Sequence, residues 1–341
     1  MRNNGTSSLT SVAIVMLIMI VALGAVFALG TEKETDGQRA IAAKSVDSKD
    51  VINILALGRD DAANLCDVVL LASINLAAGE FNVLQIPRDT LFEYGEEHYG
   101  KINAAPNMYG SVSAFKDALA EALGVNIDYY LAVDLKTVAE LVDTLSGVEI
   151  EVPMDMDYDD ASQNLSIHLK AGKQILNGKE AIQFLRYRSG YVTGDLGRMD
   201  AHKTFFNAFV KRIEESGNTG VLLKLLKVIT SRSETNLNDG ALLSIVLKCS
   251  QKRPDKTYYV TAPGEAIRSE TSGAWYYVLS QSSNAELLSE RFGLKGDRND
   301  FDKSNKFVDK RVKSFYDIYN KHCEYKIYSA KDVDNNLINI N

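Results

Sequence analysis

The sequence predicts an α/β fold: a layered α-β-α domain with a central mixed sheet, preceded by one N-terminal transmembrane helix. Two observations predict the domain. Short β-branched apolar runs alternate with stretches of helical periodicity from Val51 to Thr261, and Gly or Pro closes most of them. A third observation predicts the anchor. Ser11 to Leu29, SVAIVMLIMIVALGAVFAL, carries no charge and comes close to the ~20 apolar residues that cross a bilayer core.

Taken in order, Val51 to Leu57 reads as a buried strand ending at Gly58. Val68 to Ile74 and Phe81 to Ile86 read as a hairpin turning at Gly79. Tyr109 to Leu123 is helical, with Phe115, Leu119 and Leu123 on one face and Gly124 as its stop. Tyr129 to Val133 is a strand, Leu135 to Leu145 a helix, and Val148 to Val152 a strand closed by Pro153. An acidic loop (Asp155, Asp157, Asp159, Asp160) leads to a strand over Leu165 to Leu169. Asn177-Gly178-Lys179-Glu180 starts a helix that runs into Arg186. Helices then cover Arg198 to Ile213, Val221 to Ile229 and Leu242 to Lys248, before a late strand over Lys256 to Thr261.

Residues 1–30 are expected to hold a short cytoplasmic N-terminus and the anchor, 31–49 an extracellular linker, 50–293 the domain, and 294–341 a C-terminal appendage. Arg2 precedes the apolar run and Thr31-Glu32-Lys33-Glu34 follows it, which sets the N-terminus in the cytoplasm and the domain outside. A cleaved signal is the competing reading, but the run is long for a signal core. A net charge of -7 argues against a nucleic-acid partner, which requires a basic face. Three scattered cysteines make no disulfide framework or metal spacing, and the four histidines form no zinc pair.

Chemistry concentrates in three places. Arg186, Arg188 and Arg198 flank a glycine-bearing loop, and guanidinium forks match phosphate oxygens two at a time. Either they grip a multiply charged anion or they are surface arginines paired with nearby acids. Asp60-Asp61 follows the first strand and Asp67 opens the next; such carboxylates suit Mg²⁺, or are solvated turn residues. Arg88 and Asp89 follow a buried strand at an end where α/β sheets place ligands, and Lys101 adds a further cation.

Gly-x-Asp after the first strand, Ile-Pro-Arg-Asp-Thr, Lys-Ile-Asn-Ala-Ala, Leu-Asn-Gly-x-x-Ala, Arg-Tyr-Arg, Gly-Asp-Leu-Gly-Arg and Ala-Pro-Gly-Glu occur in this order. The series resembles the LytR-CpsA-Psr family of Gram-positive cell-wall enzymes over about Val51 to Gly293. The resemblance implies an extracellular Mg²⁺-dependent phosphotransferase. It would move an anionic glycopolymer, of wall teichoic acid or capsule type, from an undecaprenyl-pyrophosphate carrier to peptidoglycan, and in principle hydrolyse polyprenyl pyrophosphate. Asp60 and Asp67 would hold the metal, with one of them as base, while Arg88, Lys101, Arg186, Arg188 and Arg198 would grip the pyrophosphate. Arg88 and Arg186 join the two aspartates as catalytic candidates.

The chain departs from the family pattern between the two aspartates, where Ala62-Ala63-Asn64-Leu65-Cys66 lacks the usual arginine, and the doubling at Asp60-Asp61 blurs the first ligand. Two alternatives stay open: a non-catalytic membrane-anchored binder of polyprenyl phosphates or wall polymer, and a regulator of cell-envelope genes. Phe205, Phe206, Phe209, Leu222, Leu225 and Leu226 read either as a prenyl groove or as ordinary core.

Overall fold

The computed structural model describes residues 51–60, 65–76, 78–161, 165–187, 190–191, 195–216, 219–251, 256–270, 272–294 and 301–329. They form two compact units, one from Lys49–Ala132 and Pro254–Tyr328, the other from Val133–Arg253. The expected membrane-spanning run and the linker lie outside the described residues. Among the described residues, no helix is long and apolar enough to cross a membrane.

The first unit opens with β1 (Val51–Asp60), β2 (Leu65–Asn75) and β3 (Glu80–Ile86), an antiparallel meander. Leu55, Leu57, Val69, Leu71 and Leu84 are buried, and so are Ile54, Ala56, Val68, Leu70 and Val83 beside them. Burial of alternate and intervening residues alike means that both faces of these strands are covered, which is why they read as unbroken apolar runs. Gly79 takes a left-handed φ of 67° at the β2–β3 turn.

A small hairpin follows, β4 (Leu91–Glu93) with β5 (Tyr99–Lys101), then a 3-10 turn over Ile102–Ala104 and helices α1 (Ala105–Met108) and α2 (Val112–Leu123). The helix expected from Tyr109 begins at Val112, because Gly110, at φ +79°, breaks the chain between α1 and α2. The Ser111 hydroxyl then caps α2 by accepting the Ala114 N–H at 3.1 Å. β6 (Tyr129–Val133) closes this stretch.

The second unit runs α3 (Leu135–Thr144), β7 (Val148–Val152), β8 (Met156–Asp160), β9 (Leu165–Leu169), β10 (Gly172–Leu176), α4 (Gly178–Arg186), α5 (Asp195–Ser216), α6 (Thr219–Arg232), β11 (Glu234–Thr235) and α7 (Asp239–Gln251). The acidic stretch expected as a loop is strand β8, paired with β9. Its exposed positions are Asp157, Tyr158 and Asp159, and the two aspartates mask the strand pattern, but Asp157 faces His168 across the ladder and accepts its Nδ1–H at 2.7 Å. Of the residues that read as groove or core, Phe205, Phe209 and Leu225 are fully buried and Leu226 is half-buried, while the side chains of Phe206 and Leu222 lie outside the description.

The chain then completes the first unit with β12 (Lys256–Thr261), β13 (Gly264–Arg268), β14 (Trp275–Leu279), α8 (Gln281–Arg291), α9 (Lys313–Tyr319) and β15 (Ile327–Ser329). β12 pairs with β3 in parallel, so the sheet is mixed, in the order β6-β1-β2-β3-β12-β15. Residues beyond Gly293, expected as an appendage, contribute Phe301, Phe307, Val308, Phe315 and Ile318 to the core that holds Leu55, Phe92 and Phe115. Phe92 meets Phe307 at 5.2 Å between ring centroids and Phe115 at 5.9 Å.

Candidate active site

Since β1 and β3 both run antiparallel to β2, and β12 runs with β3, the carboxyl ends of β1, β3 and β12 share one end of the sheet with the start of β2. That end carries the candidate residues of the first unit, where an α/β sheet places its ligands. Pairing is regular down to Gly58 opposite Val68, then Arg59 faces Cys66. Asp67 is therefore the extra residue of a β-bulge, a feature that re-aims a side chain beside a site. Its side chain is 1% exposed, and its Oδ1 accepts from Arg88 Nη1 at 3.3 Å. A carboxylate taken out of water in this way needs a cation close by.

Arg88 is held by backbone. Pro87 to Thr90 form a turn in which the Thr90 N–H donates to Pro87 O at 2.9 Å. The next segment laces onto that turn: Ile102 N donates to Thr90 O at 2.8 Å and Asn103 N to Arg88 O at 3.2 Å. This lacing sets Lys101 Nζ 2.8 Å from Asp89 Oδ1, with Arg88 Nε 3.9 Å from the same oxygen. Arg88, Asp89 and Lys101 are each about one-third exposed at the side chain, so the turn offers two cations to solvent, held in place by two carboxylates. An incoming phosphate would meet a preformed pair of donors.

Sequence reasoning missed the third wall of this site. Tyr277 N donates to Asp89 O at 2.9 Å, and Thr90 and Tyr277 form a parallel bridge. Tyr276 puts its ring centroid 5.9 Å from Lys101 Nζ. Tyr277 donates its hydroxyl to both Ala262 O and Gly264 O at 3.0 Å, and burial holds its pKa far above the tyrosine norm, so it remains a donor. The only signal was the run Trp275-Tyr276-Tyr277, which reads as an ordinary strand.

The arginine loop belongs to the second unit. Arg186 is half-buried in the last turn of α4, and the C-cap Tyr187 is buried with its ring 5.7 Å from that of Tyr191. Gly190 is tightly set, since a Cβ there would strike the Tyr187 hydroxyl and Met154 Sδ. Arg188 and the side chains of Asp60, Asp195 and Arg198 lie outside the description. The structure thus brings together Asp67, Arg88, Asp89 and Lys101, and it carries Arg186 on a separate unit.

For a divalent cation, the described donor at the sheet end is Asp67; the backbone of Asp60 ends β1 opposite Leu65, two residues from it. Among the described residues, no three His, Cys, Asp or Glu gather as a metal cage. One or two carboxylates at an anion site is the sparse hard-oxygen set that fits Mg²⁺, which takes its other ligands from water and phosphate.

A model of the LytR_cpsA_psr family matches residues 23–292. The chain belongs to that family. The LytR_cpsA_psr relatives include the polyisoprenyl-teichoic acid–peptidoglycan teichoic acid transferase TagV of Bacillus subtilis, 28% identical over 198 residues, covering 55% of this chain and 50% of TagV. The like-named TagU of Bacillus licheniformis is 25% identical over 252 residues, covering 73% of this chain and 79% of TagU. The match thus spans half of TagV's length and most of TagU's. Among solved structures, one described as a transcriptional regulator from Enterococcus faecalis superposes with a TM-score of 0.61 at 19% identity, over 78% of this chain and all of that one. At that identity the likeness concerns the LytR_cpsA_psr fold, with its central mixed sheet.

Proposed function

We propose that this chain transfers an anionic glycopolymer from an undecaprenyl-pyrophosphate carrier to peptidoglycan, outside the membrane and tethered by the apolar run Ser11 to Leu29. The observation that carries this reading is the Arg88 guanidinium on the buried Asp67 carboxylate, beside the Asp89–Lys101 pair, at the carboxyl end of the sheet. The family membership and the teichoic acid transferases among its relatives support the substrate class.

Phosphoryl transfer needs positioning and charge neutralisation more than covalent help. Arg88 and Lys101 bind the pyrophosphate oxygens, and the motif resemblance adds Arg186, Arg188 and Arg198 as further anion-binding residues. An acceptor sugar hydroxyl attacks the phosphorus next to the polymer. The new oxygen–phosphorus bond forms as the bond to the prenyl phosphate breaks, and prenyl monophosphate leaves. The hydroxyl proton passes to a carboxylate, Asp60 or Asp67. Mg²⁺ held by these aspartates would supply further charge neutralisation. Asp89 orients Lys101 toward the anion.

The test is transfer by the full chain from a polyprenyl-pyrophosphate-linked saccharide, with Mg²⁺ and after chelation. Arg88→Ala is expected to lower turnover by about 10²- to 10³-fold, and chelation to abolish it. Unchanged turnover in both Arg88→Ala and Arg186→Ala would overturn the reading. Tight lipid binding without product from the wild type would favour a non-catalytic binder.

A further inference from the structure

Trp275 is 58% exposed at the start of β14, and among the described residues its ring has no aromatic or cationic stacking partner. It does not stand on an idle surface. Two residues on, Tyr277 is stitched by its backbone to Asp89, and the intervening Tyr276 lies over Lys101. Neighbouring residues of a strand point to opposite faces, so Trp275 shares the face of Tyr277, two residues along β14 from the position bonded to the turn that holds Arg88. Across the hairpin it faces Arg268, whose Nε donates to Gly273 O at 2.9 Å. Ser269 adds a second lock, accepting the Gly273 N–H through its carbonyl at 2.9 Å and donating its own N–H to Ala274 O at 2.8 Å. The tryptophan is thus presented on a braced hairpin, next to an exposed cation.

We propose that Trp275, two residues along β14 from the backbone contact with Asp89, is a stacking platform for a pyranose ring of the saccharide that enters or leaves the phosphate-binding turn. This rests on the transferase reading above. A pyranose has an apolar C–H face that lies flat on an aromatic ring, and a rim of hydroxyls that needs polar partners. Trp275 supplies the ring, and Arg268 and Glu270, both exposed, supply polar groups. A lipid surface fits less well: the described residues at this tip, Arg268, Ser269, Glu270, Ser272, Gly273 and Ala274, include a carboxylate and, besides the Ala274 methyl, no apolar side chain to enter a bilayer.

The same pyranose chemistry occurs in the transferred polymer and in the acceptor glycan, and one probe separates them. Trp275 is the only tryptophan of the chain, so its fluorescence reports this position alone. The full chain in detergent is titrated with a lipid-free N-acetylglucosamine oligomer, with a lipid-free glycerol-phosphate-linked disaccharide, and with phosphatidylglycerol vesicles. Saturable quenching or a spectral shift with one sugar, and none with vesicles, is expected, and the active sugar names the source. Trp275→Ala should raise KM for that partner about tenfold, the scale of a lost aromatic contact, leave kcat within about twofold, and Trp275→Phe should regain most of the loss. No saturable change with either sugar, or a change with vesicles alone, overturns the platform. The titration needs no turnover, so sugar binding without transfer would fail the transferase reading and spare this one.

Discussion

Glu93 and Lys306 are joined twice: the Glu93 N–H donates to Lys306 O at 2.8 Å, and Lys306 Nζ meets Glu93 Oε2 at 2.9 Å. Both side chains are more than four-fifths buried. The contact ties the C-terminal segment to the β4–β5 hairpin, and that hairpin ends in Lys101. Lys306→Met strands the Glu93 carboxylate and is expected to cost about 3 kcal/mol. Thermal unfolding of that variant, of Glu93→Gln and of the double change should show strong coupling; additive losses would mean the two groups stand independently.

Asp302 makes this segment sensitive to pH. It is 2% exposed, and burial pushes its carboxyl up to about 7, against the N–H donations of Phe307 and Lys306 and the Tyr319 hydroxyl. The unfolded chain releases this proton near ~3.9, so between there and about 7 the folded state binds more protons. Stability from this group is therefore full below the lower value and is lost as pH climbs to the upper one. The difference in unfolding free energy between wild type and Asp302→Asn should move against the wild type across that window, and a flat difference would show that Asp302 does not titrate there.

Two glycines of the sequence motifs are needed for closeness. A Cβ on Gly178 would overlap the Ala139 carbonyl oxygen, and one on Gly264 would overlap the Val278 carbonyl oxygen. Backbone cannot step aside as a flexible side chain can, so Gly178→Ala and Gly264→Ala should each cost about 1–3 kcal/mol in chemical denaturation. Wild-type midpoints would show that the packing tolerates a methyl group.

Arg88→Lys keeps the charge and loses the fork. Transfer is expected to fall about 10²-fold with Mg²⁺ present, and full activity in the lysine variant would show that a point charge suffices.

The β1–β3 meander was readable because both of its faces are buried, which leaves long apolar runs bounded by Gly58, Gly79 and Pro87. Leu-Asn-Gly-x-x-Ala was readable as a helix start, and its capping box is present, with Asn177 and Glu180 each accepting the other's backbone N–H. The small hairpins were not. β4 and β5 have three residues each, too few for periodicity, and long-range contacts hold them, such as Lys306 Nζ donating to Glu93 Oε2. The segment from Phe301 to Tyr319 hid its core role because charged residues separate the phenylalanines. Of the site, Asp67, Arg88 and Lys101 were visible as charges at strand ends, whereas Tyr276 and Tyr277 arrive from β14 by a backbone bridge that no local pattern encodes.

The β1–β2 bulge fixes where the second of the two aspartates stands. Register from Val51 opposite Asn75 to Gly58 opposite Val68 is locked by buried pairs, and Asp67 directly adjoins the last of them. Asp61 to Asn64 lie in sequence beyond the last paired residues, Asp60 and Leu65. A change in the number of residues between Asp60 and Leu65 would leave the register that sets Asp67 unchanged.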